Sequence, residues 1–341
     1  MANRAPGPER SRAVRPNHGL AWAELLRLPA LFTVPGDALA GAAATAAAPN
    51  HRTLLAIGSS LCLYEAGMAL NDWADRAEDA AERPHRPLPS GRIHPAAALS
   101  TACALTGAGL ALAARAGRPA LAIAVPLATT VWAYDLALKH TPAGPVAMAA
   151  ARGLDLLLGA AATTGRPREA LSSAALLGTH TLAVTTVSRR ETTGGSPVPP
   201  LAALATTALL TRLVTGGSPR TQSRAGRREA AARGLPGTRA ALTTSGTAPD
   251  RRRARASTEK AAVALRLALG AAYTATAARP YLHATLNPSP PLTQRAVTGG
   301  IRATIPLQAA LTARSGADVT ALLIAALAPL GRRFARKVSV T

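Results

Sequence analysis

The sequence predicts an all-α protein, a polytopic membrane bundle of about nine transmembrane helices, and two observations carry this prediction. Several long stretches contain no Asp, Glu, Lys or Arg, namely residues 93–114, 119–134, 170–188 and 192–211. A helix that crosses a bilayer core needs about 20 mostly apolar residues. Soluble helices seldom avoid charge for that long, because one face must meet water. The charged residues cluster instead where connections between spans are expected, at 72–92, 217–256 and 332–337.

Taken in chain order, the apolar segments between charged, Pro-rich or Gly-rich breaks give the predicted spans. They are 29–48, 53–71, 94–114, 119–138, 143–164, 169–188, 198–215, 260–279 and 318–331. The segment 296–313 is an open tenth candidate.

Two basic segments are predicted to lie outside this bundle. Residues 1–19 carry four Arg but no apolar core or nearby cleavage site, which predicts a disordered basic N-terminal arm rather than a signal peptide. Residues 217–256 hold ten Arg among many Gly, Ser, Thr and Pro residues, which predicts a flexible basic loop within a transmembrane domain at 20–335. With the N-terminus inside, the positive-inside bias suits the 72–92 loop and disfavours this one, so its side stays open.

The composition excludes several classes of protein. The formal charge is +22, but Lys139, Lys260 and Lys337 are the only lysines, and the excess of Arg with Ala, Gly and Pro indicates a coding bias. Aromatic residues make up only 3%, which argues against base-stacking platforms, and no nucleic-acid partner is expected. Cys62 and Cys103 lie in apolar stretches and predict neither a disulfide framework nor a Cys-based metal site.

The residues with the clearest chemistry follow the second apolar segment, in the run NDWADRAEDAAERPHRPLPSGRI at 71–93. Asn71, Asp75 and Asp79 recur every four residues, so a continuing helix would align them in one stripe with Asp72 beside it. Carboxylates that converge from adjacent turns suit Mg²⁺, which takes oxygen ligands and often retains phosphate oxygens of a substrate.

Two arginines follow this stripe at once. Arg83 and Arg86 bring guanidinium groups, which bind phosphate through paired hydrogen bonds. The run therefore offers metal ligands and anion-binding cations together. The alternative is a solvated loop whose acids and bases merely pair with one another.

A few polar residues fall inside predicted spans, where charge is costly and usually faces a cavity or a partner. Arg152 and Asp155 are three residues apart in the fifth span and are either a structural pair or substrate contacts. His180 is expected to be a hydrogen-bonded packing residue, and Asp37 a cavity-lining or capping residue. Glu65 either packs or pairs with another residue, or lines a substrate cavity.

These residues carry a resemblance to a known family. Residues 71–79 match the N-D-x-x-D-x-x-x-D signature of the UbiA superfamily of intramembrane prenyltransferases, and the match continues through Arg83 and the RPLPSG run that begins at Arg86. The runs LRLPALFTVPGDALAG at 26–41 and IPLQAALTARSG at 305–316 are similar to the UbiA-like branch encoded in the bacterial Ebo gene cluster.

The resemblance implies a UbiA-like fold and Mg²⁺-dependent transfer of an isoprenyl group, a non-methyl alkyl group, from an isoprenyl diphosphate to a small-molecule acceptor. It implies that Asp72, Asp75 and Asp79 are catalytic and bind Mg²⁺ together with Asn71. The implied substrate-binding residues are Asn71, Arg83, Arg86, Tyr134, Lys139, Arg152, Asp155, Arg189 and Glu191. Among them, Tyr134 and Lys139 match a Tyr-x-x-x-x-Lys arrangement that contacts diphosphate in relatives. The implied location is a cell membrane, the bacterial inner or plasma membrane, with the lipid bilayer as a partner.

The sequence departs from the superfamily at the second acidic motif. The corresponding stretch, VSRRETTGG at 187–195, has Glu191 as its only acid, beside Arg189 and Arg190. Either one metal ion suffices and the two arginines bind diphosphate directly, or transferase chemistry has been lost. The competing hypothesis is therefore a non-catalytic UbiA-fold protein that aids transport or assembly of a secondary metabolite.

Overall fold

The computed structural model describes residues 18–216 and 248–338, and within these ranges every element is helical. Residues 1–17 of the predicted arm and 217–247 of the predicted loop lie outside the described residues. Residues 248–256, which the composition assigns to that loop, form the beginning of a helix instead. The reason is local, because this stretch is rich in Ala and Arg, which favour helix, and contains no Gly.

Twelve helices are present in the described ranges. They are α1 (His18–Leu25), α2 (Val34–Ala44), α3 (His51–Ala74), α4 (Arg76–Glu82), α5 (Pro95–Ala116), α6 (Arg118–Ala133), α7 (Gly144–Thr164), α8 (Leu171–Ser188), α9 (Val198–Thr215), α10 (Ala248–Leu286), α11 (Pro290–Arg314) and α12 (Asp318–Val338). Short 3₁₀ turns, Leu28–Thr33 and Pro167–Ala170, precede α2 and α8. A π-helical turn, Tyr134–Leu138, extends α6.

Seven helical segments of the described residues are long and apolar enough to cross a membrane, and they lie in α3 and α5 to α10. Leu31–Ala44 and Asp318–Gly331 are shorter apolar helices. The open candidate at 296–313 is helical as part of α11, and most of its residues are buried. The weak apolar signal there has a packing reason, since a helix surrounded by other helices need not present an apolar face to lipid. The protein is therefore an all-α, multi-pass membrane bundle.

Contacts between connections identify two ends of the bundle. At one end, the Gly195 N–H donates to the Pro288 carbonyl at 2.8 Å, which joins the α8–α9 and α10–α11 connections. At the other end, the Asn50 side-chain amide donates to the Thr163 carbonyl at 3.3 Å, which joins the start of α3 to the end of α7. The first end also carries the run at 71–93, since Asn71, Asp75, Arg83 and Arg86 share a cavity wall with Glu191 of the α8–α9 connection; it is called the site end below.

Close backbone contact joins α2 to α7 in the middle of the bundle. A Cβ added to Gly159 would overlap the backbone of Ala38, and a Cβ on Gly41 would overlap the backbone of Leu156. Small residues of this kind let membrane helices approach closely, which increases van der Waals contact between them. This contact fixes α2 beside α7 and so positions the charged residues of both helices.

We expect Gly159→Ala to destabilise the protein by about 1–3 kcal/mol, because the added methyl group must push α2 away from α7. The matched control is Gly107→Ala in α5, where an added Cβ meets no atom within 4 Å. This change should be neutral or stabilising, since Ala favours helix more than Gly does. Thermal unfolding of the detergent-purified variants measures both effects, and equal melting temperatures would contradict the packing assignment.

A small apolar cluster closes the site end. Ala21 and Leu25 of α1 pack with Leu70 of α3, and the turn after α4 contributes Leu88 and Ile93. Apolar anchors on both sides of a polar run fix its conformation, because moving them would expose apolar surface to water. The cluster therefore holds the arginines of this turn, and the segment after α1, over the end of α3.

Candidate functional site

The acidic stripe runs from the last turn of α3 into α4. The helix is interrupted at Asp75, whose backbone (φ −85°, ψ 2°) leaves the helical region, so the predicted continuous helix is instead two helices. The four-residue spacing nevertheless survives, because the Asp75 N–H donates to the Asn71 carbonyl at 2.9 Å and the Asp79 N–H to the Asp75 carbonyl at 2.8 Å. The structure thus brings Asn71, Asp75 and Asp79 to one side.

Of the three aspartates at 71–79, called the motif acids below, Asp72 and Asp79 form ion pairs with arginines. Arg86 Nη1 lies 2.7 Å from Asp79 Oδ2 and 3.8 Å from Asp72 Oδ1. Arg83 lies 3.5 Å from Asp79 and Arg27 lies 3.1 Å from Asp72. Both carboxylates are buried, with Asp72 5% and Asp79 2% exposed. Buried charges of this kind require partners. Here the partners are arginines, whose guanidinium groups could also bind an anion.

A π-helical turn positions Tyr134 and Lys139 for the same site. The Lys139 N–H donates to the Tyr134 carbonyl at 2.9 Å, the five-residue hydrogen bond that defines a π turn. In an α-helix, side chains five residues apart would point about 140° apart. The wider π turn reduces this angle, so both side chains line one cavity. Lys139 also forms an ion pair with Asp75.

The motif borders a polar chamber of about 580 Å³ at the site end. Its cationic side chains among the described residues are Arg27, Arg83, Arg86, Lys139 and Arg189. Two carboxylates, Asp75 and Glu191, share the wall with them. Burial raises the pKa of the Glu191 carboxyl above its ordinary value, and the nearby Arg83 guanidinium offsets part of that rise. The chamber is therefore net positive and suited to a polyanion.

A second, mostly apolar chamber of about 390 Å³ lies directly beneath the first. Its wall includes Leu63, Leu127, Val131, Met148, Val184 and Ile301. The two chambers share wall residues, namely Arg27, Asn71, Tyr134, Thr185 and Ser188. A molecule with an anionic head and an apolar tail would therefore contact both chambers at once.

Arg152 and Asp155 line the apolar chamber rather than the polar one. They do not form an ion pair with each other, which was one of the two alternatives that the sequence left open. Arg152 Nε lies 3.0 Å from Asp37 Oδ2, and Asp155 instead accepts a hydrogen bond from Ser60. Gln308 donates to Asp37 at 2.6 Å, so four helices contribute to this buried network.

His180 is a buried, hydrogen-bonded residue, as the sequence predicts. Its Nδ1 lies 3.1 Å from the Tyr273 hydroxyl, and its Nε2 lies 3.1 Å from the Gly300 carbonyl. With both ring nitrogens engaged, the side chain links α8 to α10 and α11. It also borders the apolar chamber.

Two residues of the site were not singled out from the sequence. Arg27 borders both chambers and has a φ of 47°, a left-handed conformation that non-glycine residues seldom adopt and that often marks functional positions. Asp135 is buried and borders the apolar chamber beside Tyr134. The signal for Arg27 was its place directly before the first span, and the signal for Asp135 was its place inside the Tyr-x-x-x-x-Lys arrangement.

The donor chemistry of the acidic stripe fits Mg²⁺, since it offers three carboxylates and one amide oxygen. The arrangement of these oxygens is less uniform than the spacing predicts. Asp72 and Asp79 face arginines. Asp75 instead lies near Glu78 and His140, and one possible ligand atom from each of these three residues lies within 4.8 Å of the other two. Among the motif acids, Asp75 is thus the one that lines the polar chamber.

Comparisons with known proteins agree with this architecture. The sequence profile described as the UbiA prenyltransferase family matches residues 30–215, more than half of the chain. The chain is 37% identical over 115 residues to digeranylgeranylglyceryl phosphate synthase of Methanothrix thermoacetophila, a match that covers 33% of this chain and 43% of the relative. It is 35% identical over 147 residues to the enzyme of the same name from Methanopyrus kandleri, covering 41% and 52%. The chain thus spans about half the length of the curated relatives it matches.

Solved structures show the same fold. A digeranylgeranylglyceryl phosphate synthase structure superposes with a TM-score of 0.55 at 18% identity and covers 87% of this chain and 98% of its own. A UbiA homologue from Archaeoglobus fulgidus, bound to DMAPP and Mg²⁺, has a TM-score of 0.52 at 17% identity and covers 87% and 99%. The chain belongs to the UbiA prenyltransferase family.

Proposed function

From this family membership, we propose that the chain is an integral-membrane prenyltransferase that transfers an isoprenyl group from an isoprenyl diphosphate to a small-molecule acceptor. One observation carries the proposal most strongly, the direct contact between a cation-lined chamber and an apolar chamber. An isoprenyl diphosphate has a polyanionic head and an apolar tail, so its two parts match the two chambers in charge and polarity.

The proposed binding residues follow from this placement. Arg83, Arg86, Lys139 and Arg189 would bind phosphate oxygens, together with Arg27. Tyr134, at the junction of the two chambers, would face the bond between the diphosphate and the isoprenyl group. Fixed cations of this kind stabilise negative charge as it develops on a leaving group.

We propose that Mg²⁺ is bound by Asp75 with Asp72, Asp79 and Asn71 when the diphosphate is present. A bound Mg²⁺ supplies further charge neutralisation for the leaving diphosphate. The proposal is consistent with the arginine contacts, because a diphosphate would offer Arg27, Arg83 and Arg86 new partners. The carboxylates of Asp72 and Asp79 would then be released from their present ion pairs.

The degenerate second motif is compatible with this proposal through direct contact of arginine with phosphate. Arg189 lines the polar chamber, and its side chain is held by a hydrogen bond to the Thr141 carbonyl. Glu191 lines the same wall and would be a substrate contact or a metal ligand there. Arg152 and Asp155, in the apolar chamber, are proposed to face the acceptor side.

We also propose the finer assignment to the Ebo-cluster branch and a location in the bacterial cell membrane. The branch assignment is supported by the two sequence runs at 26–41 and 305–316. These runs meet in the structure, where Gln308 of one donates to Asp37 of the other at 2.6 Å.

Incubating the purified protein in lipid nanodiscs with labelled isoprenyl diphosphates of several lengths, with and without Mg²⁺, tests the proposal. We expect Mg²⁺-dependent binding and release of diphosphate when a suitable acceptor is supplied. Binding without release over a broad acceptor panel would favour the non-catalytic alternative. Absence of binding at every chain length would exclude the proposed substrate class.

We expect Lys139→Met to weaken diphosphate binding at least tenfold, about 1.4 kcal/mol, because it removes a cation from the chamber wall without removing volume. Arg115→Met is the matched control, since Arg115 is an exposed cation in the last turn of α5, away from the site end. Calorimetry with inorganic pyrophosphate measures both variants. Equal losses in the two would indicate a nonspecific effect of net charge.

A further inference from the structure

One acid of the apolar chamber has no part in the proposed binding of diphosphate or Mg²⁺. Asp135 lies in the π-helical turn after α6 and lines the apolar chamber but not the polar one. It is 5% exposed, and among the described residues its carboxylate has no ion pair or hydrogen bond. Burying a charged group without a partner is costly. A partner for this carboxylate is therefore expected from the substrate.

The position of this carboxylate follows from its approach to α3. A Cβ added to Gly67 would lie 3.8 Å from Asp135 Oδ2, and Gly67 lines the same chamber. Asn71, which borders both chambers, follows Gly67 by four residues, about 6 Å along the helix. The carboxylate therefore lies roughly one helical turn inside the apolar chamber. The first carbon atoms of a bound isoprenyl group would lie at this depth.

The other acid of the apolar chamber lies too deep for contact with these atoms. Asp155 accepts a hydrogen bond from Ser60, and both residues line the chamber. Ser60 precedes Asn71 by eleven residues on α3, about 16 Å along the helix. Among the described residues, Asp135 is therefore the acid of this chamber that lies nearest its junction with the polar one.

The charges on the two sides of this junction have opposite signs. Lys139 and Arg27 are the cations whose charges act on Asp135, and both line the polar chamber. Asp72 and Asp75 act on it as well, but each of them is paired with one of these cations. With diphosphate bound to the cations, the field across the junction would favour negative charge in the polar chamber and positive charge in the apolar one.

We propose that Asp135 is a catalytic residue that stabilises positive charge on the isoprenyl group as the diphosphate leaves. This inference rests on the proposed function, since it assigns a role in the same transfer. The bond between C1 of the isoprenyl group and the diphosphate oxygen breaks, and both of its electrons stay with the diphosphate. The isoprenyl group becomes an allylic cation, and no proton moves in this step. A fixed carboxylate beside that cation stabilises it without reorganisation.

An allylic amine tests this site, because its ammonium group places a positive charge where the cation would form. Geranylamine and geraniol share one carbon skeleton and differ in charge, so the ratio of their affinities measures the interaction with that charge. Calorimetry on the full chain in lipid nanodiscs, with Mg²⁺ and pyrophosphate present, measures both, and empty nanodiscs give the blank for partition into lipid. At about pH 8 an aliphatic amine is protonated and an Asp carboxyl is ionised.

We expect the unaltered chain to bind geranylamine at least tenfold more tightly than geraniol. Asp135→Asn removes the charge at nearly constant volume, so it should abolish this preference. Its geraniol binding should stay within twofold, which would show that the variant folds. The matched control is Glu65→Gln, which alters a buried acid of α3 that lines neither chamber. This control should retain the preference for the amine.

Equal affinities for the amine and the alcohol in the unaltered chain would overturn the inference. A preference that survives in Asp135→Asn would do so too, and so would equal losses of both ligands, which would indicate a purely structural role. Loss of the preference in Asp155→Asn but not in Asp135→Asn would place the charge at the deep end of the chamber and would also overturn it.

Binding of labelled isoprenyl diphosphate, measured on the same preparations, distinguishes this failure from failure of the proposed function. If the chain binds isoprenyl diphosphate with Mg²⁺ but shows no preference for the amine, the inference fails and the proposed function stands. If the preference depends on Asp135 but no isoprenyl diphosphate binds, the cation site stands and the proposed substrate is wrong.

Discussion

Replacing Asp75 by Asn should weaken Mg²⁺-dependent diphosphate binding at least tenfold, about 1.4 kcal/mol. The change removes one negative charge at nearly constant volume, and Asp75 is the motif acid that lines the polar chamber. A hard cation depends strongly on anionic oxygen ligands, so the loss should appear as a weaker response to Mg²⁺. Calorimetric titration of pyrophosphate at several Mg²⁺ concentrations measures it.

The same titration without Mg²⁺ provides an internal control. Asp75→Asn frees Lys139 from its ion pair, so metal-independent pyrophosphate binding should be unchanged or stronger. Glu191→Gln, which alters another carboxylate of the chamber, should have a smaller effect if the second motif no longer anchors a metal. If Asp75 and Glu191 only form ion pairs at a surface, neither substitution should change the free energy of pyrophosphate binding by more than about 1 kcal/mol. Mg²⁺-dependent binding equal to that of the unaltered chain in Asp75→Asn would exclude Asp75 as a metal ligand.

Replacing Arg152 by Met should destabilise the fold by about 3–5 kcal/mol, the usual cost of breaking a buried ion pair by removing one partner. Arg152 is the cation that pairs with Asp37, a fully buried carboxylate. A second buried carboxyl group, that of Asp155, lies beside Asp37. Without Arg152, both acids would remain in a setting of low polarity. Thermal unfolding in detergent should show the loss.

Two comparisons make this prediction specific. Asp37→Asn should cost less than Arg152→Met, because Arg152 retains Asp155 three residues away as an alternative partner. Arg166→Met breaks a pair with Glu169 at 2.9 Å in which the Arg166 side chain is 53% exposed, so it should cost at most about 1 kcal/mol. A similar melting temperature for Arg152→Met and Arg166→Met would show that the buried network contributes little to stability.

Much of the fold could be predicted from the sequence because a transmembrane helix leaves a local signal. The segments predicted at 53–71, 94–114 and 143–164 lie within α3, α5 and α7, apart from their first residue in two cases. Prediction was less successful where that signal was weak. The segment 296–313 is polar for a span yet forms most of α11, and residues 248–256 belong to α10 rather than to a loop.

The acidic stripe could be predicted for the same reason, since its spacing is local. The four-residue repeat keeps Asn71, Asp75 and Asp79 on one side even though the helix is interrupted at Asp75. Its partners could not be predicted. Arg27 lies 45 residues before Asp72, and no periodicity within either segment shows that the two meet at 3.1 Å.

The sequence by itself therefore determined the membrane class of this protein, the places of most of its helices and the acidic stripe with its following arginines. Each depends on residues close together in the chain, through apolarity and helical spacing. The tertiary structure alone decided that Arg152 pairs with Asp37 instead of Asp155, and that a cationic chamber adjoins an apolar one. Those features depend on which helices pack together, and small residues such as Gly159 set how closely they approach. Contacts between helices that are distant in the chain depend on many weak packing interactions, so they are seen only in the assembled bundle.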